Sequence, residues 1–306
     1  ILLQERMPEK AIITKEKKEK VEKIKIKDYE SYSKKTYTKI ETRLKTVNVI
    51  SNGKYTVVST LEGESYSKFE NILINRFKET SEGKQGIFFY IKNLSFNNIW
   101  STVPEKNENN RITFEPSKTK YVKTVGNIET DEEITVAPDE AVEIRRLKLK
   151  NIGLNFETLE VTSYFEPVLS RAEQDYAHPA FNNLFLNFEK LDIGAILVKR
   201  NKRGSSQKEY YLGASFFTES ETIGDLEYEI EKERFIGKQN NKIPDMIKYS
   251  KPYSKNSGMV TDPVIAMKRT IKLSPGETVS LDLILAVDEQ KDKVIDNLNK
   301  YQNTNV

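Results

Sequence analysis

Between Val279 and Val287 five apolar residues, Val279, Leu281, Leu283, Leu285 and Val287, alternate strictly with Ser280, Asp282, Ile284 and Ala286. A period of two turns every second side chain to one side of an extended chain, so this segment reads as a strand with one face in a core. Leu159, Val161, Ser163 and Phe165 repeat the pattern. Val142 and Ile144 are out of phase with Leu147 and Leu149, a switch that predicts a β-bulge in mid-run. Further runs rich in Val, Ile, Phe, Tyr and Thr lie at 55–60, 87–91, 112–115, 134–136, 193–199 and 210–217, and Asn-Gly, Glu-Gly, Pro-Asp and Pro-Gly turn signals punctuate the chain. No internal repeat and no Pro/Gly/Ser linker interrupts residues 47–287. The predicted fold is therefore all-β, a single large antiparallel sandwich. Val294, Leu298 and Tyr301, spaced i, i+4, i+7 after Asp288, predict a short terminal helix.

Charge divides the chain differently. Residues 1–50 hold 14 Lys+Arg and 8 Asp+Glu, while the whole 306-residue chain carries a formal net charge of only +3. Most of the basic excess lies in Lys15–Lys27, too polar to bury against a core, which predicts a solvated extension over residues 1–46 and a sandwich over 47–306. Near-matched glutamates and the absence of interleaved aromatics argue against a nucleic-acid surface there. No apolar run approaches the roughly 18 residues of a membrane span, and the first residues lack a secretory signal. The chain begins at Ile1 and not at a methionine, from which we expect a piece of a longer protein.

The absence of cysteine excludes disulfides, thiol nucleophiles and thiolate metal sites, and one histidine, His178, excludes a multi-histidine zinc centre. No phosphate loop, Asp-x-Asp pair or nucleophile elbow is present, and no cofactor is implied. Carboxylates remain. Glu227, Glu229, Glu231 and Glu233 are spaced by two, which on a strand would align them on one face, either as a solvated row or as the source of an acid/base pair for glycoside chemistry. His178, before Pro179 and near Phe181 and Phe185, is expected to be a structural residue of a packed turn, so that His178→Ala would lower thermal stability. Trp100, the only tryptophan, is a core residue or an aromatic platform for a sugar ring. Gly63, followed by Tyr66 and Ser67, marks a loop whose backbone allows close approach and whose hydroxyls suit a sugar.

A set of motifs in register carries more weight than any of these alone. Ser51-Asn52-Gly53-Lys54-Tyr55, Gly63 with Tyr66-Ser67, Asn75-Arg76-Phe77, Gly86 with Phe89-Tyr90, and Trp100-Ser101 come first. Val142-Glu143-Ile144-Arg145-Arg146, Thr162-Ser163-Tyr164-Phe165-Glu166, His178-Pro179-Ala180-Phe181, Arg234-Phe235-Ile236-Gly237 and Asp262-Pro263 follow. Together they resemble the β-supersandwich domain of glycoside hydrolase family 94, also described as the glycosyltransferase 36-associated domain. The opening Leu2-Leu3-Gln4-Glu5-Arg6-Met7-Pro8 is similar to the segment joining the glucoamylase-like domain of cyclic β-1,2-glucan synthases to the sandwich that follows it.

The resemblance implies a non-catalytic module, since the family's catalytic acid and phosphate-binding residues lie on an (α/α)6 barrel downstream. It implies other domains of the same polypeptide as partners, a membrane-associated parent acting at the cytoplasmic face, and Tyr66, Ser67, Arg76 and Trp100 as candidates for glucan contact. Assembly into a homo-oligomer stays open. Gly63, Glu166, His178, Arg234 and Asp262 are the positions tied to the family motifs. An autonomous carbohydrate-binding module and a glycosidase using the glutamate row are the competing readings. This chain departs from the family pattern at Glu64, where a glycine is usual, at Asn75 and Phe77, and at Lys238-Gln239, where Arg-Gly is usual. Lysine there would replace a bidentate guanidinium by a point charge.

Overall fold

The computed structural model describes residues 34–40, 45–77, 85–106, 109–202, 204, 208–237 and 243–303. The segments Leu2–Pro8 and Lys15–Lys27, and residues Lys238 and Gln239, lie outside the described residues. In chain order the strands are β1 (Lys35–Tyr37), β2 (Val47–Ser51), β3 (Tyr55–Thr60), β4 (Ser65–Phe69), β5 (Ile72–Asn75), β6 (Phe88–Asn93), β7 (Asn98–Ser101), β8 (Asn110–Phe114), β9 (Lys118–Val125) and β10 (Ile128–Val136). They continue with β11 (Val142–Asn151), β12 (Glu157–Phe165), β13 (Pro167–Ser170), β14 (Leu186–Leu191), β15 (Ala195–Arg200), β16 (Tyr210–Phe217), β17 (Glu227–Glu231), β18 (Pro263–Leu273) and β19 (Thr278–Asp288). The helices are short: α1 (Ala172–Ala177), α2 (Pro179–Asn183), α3 (Lys232–Ile236), α4 (Asp245–Lys248) and α5 (Lys291–Tyr301).

Among the described residues the strands form three antiparallel sheets. One has nine strands in the order β1-β8-β9-β10-β11-β19-β16-β15-β14, and two have five, ordered β17-β18-β12-β6-β7 and β13-β5-β4-β3-β2. Both smaller sheets pack on the inner face of the large one, and a single core draws Tyr55 and Val57, Phe89 and Val161, and Leu147 and Leu283 from the three sheets. The all-β supersandwich and its terminal helix are thus as predicted. Within residues 1–46, β1 pairs with β8 at the edge of the nine-stranded sheet.

One expectation about strand faces is extended and one needs correction. β19 is buried on both faces: its odd-numbered residues enter the main core, whereas Ile284 and Ala286 lie under α5 with Val294 and Leu298. The helix can come this close because β16 carries Gly213 at the crossing, where a Cβ would stand 2.6 Å from Leu298 Cδ1 and 2.7 Å from Val294 Cγ1. The bulge predicted in Val142–Leu149 is absent, since β11 keeps unbroken register with β19 and, through Glu143–Asn151, with β10. The phase switch has another cause. Glu143, Arg145, Leu147 and Leu149 all face the core, two of them charged, while Val142 and Ile144 face α5.

Candidate functional site

Strand β4 shows how alternation sorts the candidate residues. It pairs with β3 through Val58↔Tyr66 and Val57↔Ser67, so Tyr66 and Ser67 point to opposite faces. Ser67 is fully buried and donates to Glu143 Oε2 at 2.5 Å, beside Tyr55 Oη, which donates to the same oxygen at 2.8 Å. It belongs to the interior and cannot face a sugar. Arg145 completes this buried network. Its Nε donates to Glu143 Oε1 at 2.6 Å, Nη2 to Ser65 Oγ at 3.0 Å and Nη1 to the Ile87 carbonyl at 2.8 Å, with Glu132 Oε1 at 3.5 Å. Burial opposes the Arg145 charge, but Glu143 and Glu132 outweigh it and raise its pKa. Burial pushes the Glu132 carboxyl up, with Arg145 opposing, and pushes the Tyr55 phenol well up, with Glu143 adding to the effect.

On the opposite, outward face, cross-strand pairing sets Val49, Val58 and Tyr66 in one row and Thr56, Lys68 and Leu73 in the next. The Tyr66 ring leans on Phe77, centroids 5.2 Å apart. Tyr66, Lys68, Asn71 and Leu73 form one wall of a cleft of about 480 Å³, and Arg171, Ala172, Glu173 and Tyr176 on and just before α1 form the other. Lys68 was within reach of sequence reasoning as the i+2 neighbour of Tyr66 on a strand. The α1 residues were not, because a six-residue helix leaves no periodic signal.

Arg76 stands at the end of β5 and works as a clamp. Its Nε and Nη2 hold both oxygens of Asp175 at 3.0 and 2.9 Å, Nη2 also donates to Asn183 Oδ1 at 2.8 Å, and Nη1 donates to Glu166 Oε2 at 3.1 Å. Desolvation works against the guanidinium charge, but Asp175 and then Glu166 more than compensate and raise its pKa. With its fork committed to α1, α2 and the β12–β13 junction, Arg76 positions the cleft wall and does not offer itself to a ligand. Glu166 is shared, taking Lys232 Nζ at 2.8 Å and the Tyr164 hydroxyl at 3.0 Å. Asp262 lies on the same surface and its carbonyl accepts the Lys232 N–H. Partial desolvation pushes its carboxyl up, Glu166 adding to the push while Lys232 and Arg76 oppose it.

The other candidates separate from this surface. Trp100 is buried in the main core, its Nε1–H on Thr130 Oγ1 at 3.2 Å, so its ring is not an exposed platform. Gly63 sits in the β3–β4 turn with φ +78°, and a Cβ there would meet Pro104 Cδ at 2.6 Å, so glycine serves the packing of the turn. His178 is exposed between α1 and α2, which corrects the packed-turn expectation. Its main chain does the structural work, its carbonyl accepting from the Asn182 N–H, while the buried side chains there are Asp175, Asn182 and Asn183.

The glutamate row does not share a face. Register shifts between Glu229 and Glu231, and Glu233 lies on α3. Glu229 is fully buried and accepts from the N–H groups of Ile230, Glu231 and Ser254, from Ser254 Oγ and from Arg234 Nε. A carboxylate so saturated is an anchor for the chain around it. Glu227 pairs with Lys268. No group of acidic and histidine side chains suited to a metal ion occurs among the described residues.

Three antiparallel sheets with a cleft on their outer side define a β-supersandwich domain. The family model for the glycosyl hydrolase 94 supersandwich domain matches residues 30–304, and the chain belongs to that family. It is 28% identical over 241 residues to the cyclic β-(1,2)-glucan synthase NdvB of Rhizobium meliloti strain 1021, a match covering 76% of this chain and 8% of that protein. Among solved structures, a protein assigned as a kojibiose phosphorylase from the human microbiome has a TM-score of 0.48 at 8% identity, over 83% of this chain and 33% of that one. A bacterial glucoamylase bound to acarbose has a TM-score of 0.46 at 10% identity, over 88% and 38%. No helix among the described residues is long and apolar enough to cross a membrane.

Proposed function

We propose that this chain is a non-catalytic supersandwich module of a larger β-glucan-processing enzyme of the synthase or phosphorylase kind. It packs against that enzyme's catalytic domains and contributes a glucan-facing surface on the outer side of β4. The observation that carries the reading is the fate of the acidic row: its one fully buried member, Glu229, is saturated by five donors, and Glu227 is committed to Lys268. Glycoside hydrolysis needs an acid and a second carboxylate flanking the scissile bond, and these two members of the row are already committed within the fold. The family membership and the similarity to a cyclic glucan synthase support the parent's substrate class. A cytoplasmic location at the inner face of the membrane, through the parent, is part of the same proposal.

The test is turnover. The purified chain, incubated with β-1,2-glucan with and without inorganic phosphate, should release neither reducing sugar nor sugar phosphate. Release that disappears in Glu227→Gln or Glu231→Gln would establish the glycosidase reading instead.

A further inference from the structure

The cleft between β4–β5 and α1 mixes its chemistry in a way that selects among ligands. Lys68 and Arg171 can only donate hydrogen bonds, Glu173 can only accept them when ionised, and Asn71 does both. A ligand that touches all four must offer donors and acceptors side by side. A polyhydroxylated chain does so at every ring, because each hydroxyl both gives and takes. An acidic polymer offers mainly acceptors from its charged groups, which would suit Lys68 and Arg171 but leave Glu173 facing like charge with no donor to accept from.

The apolar part of the lining fits the same class. Leu73 is buried at the base, Tyr66 is half-buried with its ring backed by Phe77, and Tyr176 is 44% exposed. Aromatic rings with a polar edge suit the C–H faces of a sugar while leaving its hydroxyls to the polar side chains. The volume of about 480 Å³ lies within the range of small-molecule sites. Both walls are also fixed before any ligand arrives: Tyr66 stands on a strand in register with β3, and Arg76 locks α1 to the sheet through Asp175. A preorganised cleft loses less freedom on binding than a mobile loop.

We propose that this cleft binds a short segment of a neutral glucan, with Tyr66 and Tyr176 against the sugar rings and Lys68, Asn71, Arg171 and Glu173 on the hydroxyls. The inference rests on the reading of the chain as part of a glucan-processing protein and names the surface that does the holding. It moves the site away from Ser67, Arg76 and Trp100 and onto α1.

The experiment titrates the whole 306-residue chain with linear β-1,2-gluco-oligosaccharides, followed by calorimetry and by amide NMR, with oligogalacturonate as the acidic comparison. Saturable binding is expected. Glu173→Gln and Tyr176→Ala should each weaken it at least fivefold at an unchanged melting temperature, and oligogalacturonate should not compete. Glu173→Gln, an exposed and nearly isosteric change, keeps the test valid where Tyr176→Ala disturbs α1. Absence of saturable binding, equal affinity in Glu173→Gln, or tighter binding of oligogalacturonate would each overturn the proposal. Absence of binding together with absence of turnover removes the cleft and leaves the non-catalytic assignment standing. Turnover by the chain removes that assignment whatever the cleft does.

Discussion

Arg145 donates from Nε to Glu143 Oε1 at 2.6 Å with only one residue between them on β11, and both side chains are buried on its inner face. The pair reaches all three sheets, through Tyr55 and Ser67 on β3 and β4 and through the Ile87 carbonyl just before β6. Removing one partner strands the other charge in the core. Arg145→Met should therefore cost about 3–5 kcal/mol of unfolding free energy. The double variant with Glu143→Leu should lose less than the two single losses added together, because the stranded charge goes too. Urea denaturation measures all three, and strictly additive losses would show that the residues do not act as a pair.

The Arg76 clamp makes a separate prediction. A lysine at that position presents one ammonium where the guanidinium engages Asp175, Asn183 and Glu166 together. Arg76→Lys should destabilise by about 2 kcal/mol, the scale of hydrogen bonds to charged groups. Limited proteolysis should then cut first within residues 171–183, the segment the clamp holds. A variant with wild-type stability and wild-type cleavage would remove Arg76 from that role.

Alternation exposed β19 because its inward face is apolar throughout, and β12 because Leu159, Val161 and Phe165 dominate a face that also buries Glu157 and Ser163. It misread β11 because the inward face there carries Glu143 and Arg145, and hydrophobic patterning has no means of recognising a charge that is buried because it is paired. The same blindness left Glu229 as one member of a row, solvated or catalytic, although its five donors come from four residues, two that directly follow it in the chain and two, Arg234 and Ser254, brought in by the fold. Sequence reading puts Tyr66 in a loop, whereas it stands on β4 with its side chain outward. The opposite wall of its cleft was not legible, since α1 is brought there by Arg76 and Asp175, which lie 99 residues apart in sequence.

The two residues singled out by rarity should behave in opposite ways. Trp100, buried with its N–H on Thr130, should resist acrylamide quenching until the protein unfolds, and glucan should leave its emission unchanged. Ready quenching in the folded chain would place the ring at the surface. His178→Ala removes an exposed side chain and should shift stability by no more than about 0.5 kcal/mol in urea. Asn182→Ala should cost more, because its buried amide bonds the Val168 carbonyl and Asp175.

The docking of α5 should depend on pH through Glu140. Lys300 Nζ and Tyr301 Oη donate to its two oxygens at 2.5 and 2.8 Å, fastening the end of the helix to the β10–β11 turn. These bonds, Lys300 first and Tyr301 next, hold the Glu140 carboxyl below its ordinary value of 4.5. A depressed carboxyl pKa means that the unfolded chain binds the proton more tightly than the folded one. The stabilisation is therefore fully present above pH 4.5 and is lost as pH falls from there through the folded value. Wild type and Glu140→Gln should differ in urea midpoint and in amide exchange of α5 at pH 7, with wild type the more protected. The two should converge as pH falls through the folded-state value, where the wild-type carboxyl takes up its proton and loses its charge. The site is exposed, so the difference should be small, and it should shrink in high salt as surface ion pairs do. A gap that persists undiminished in strong acid would mean that the fastening does not depend on the Glu140 charge.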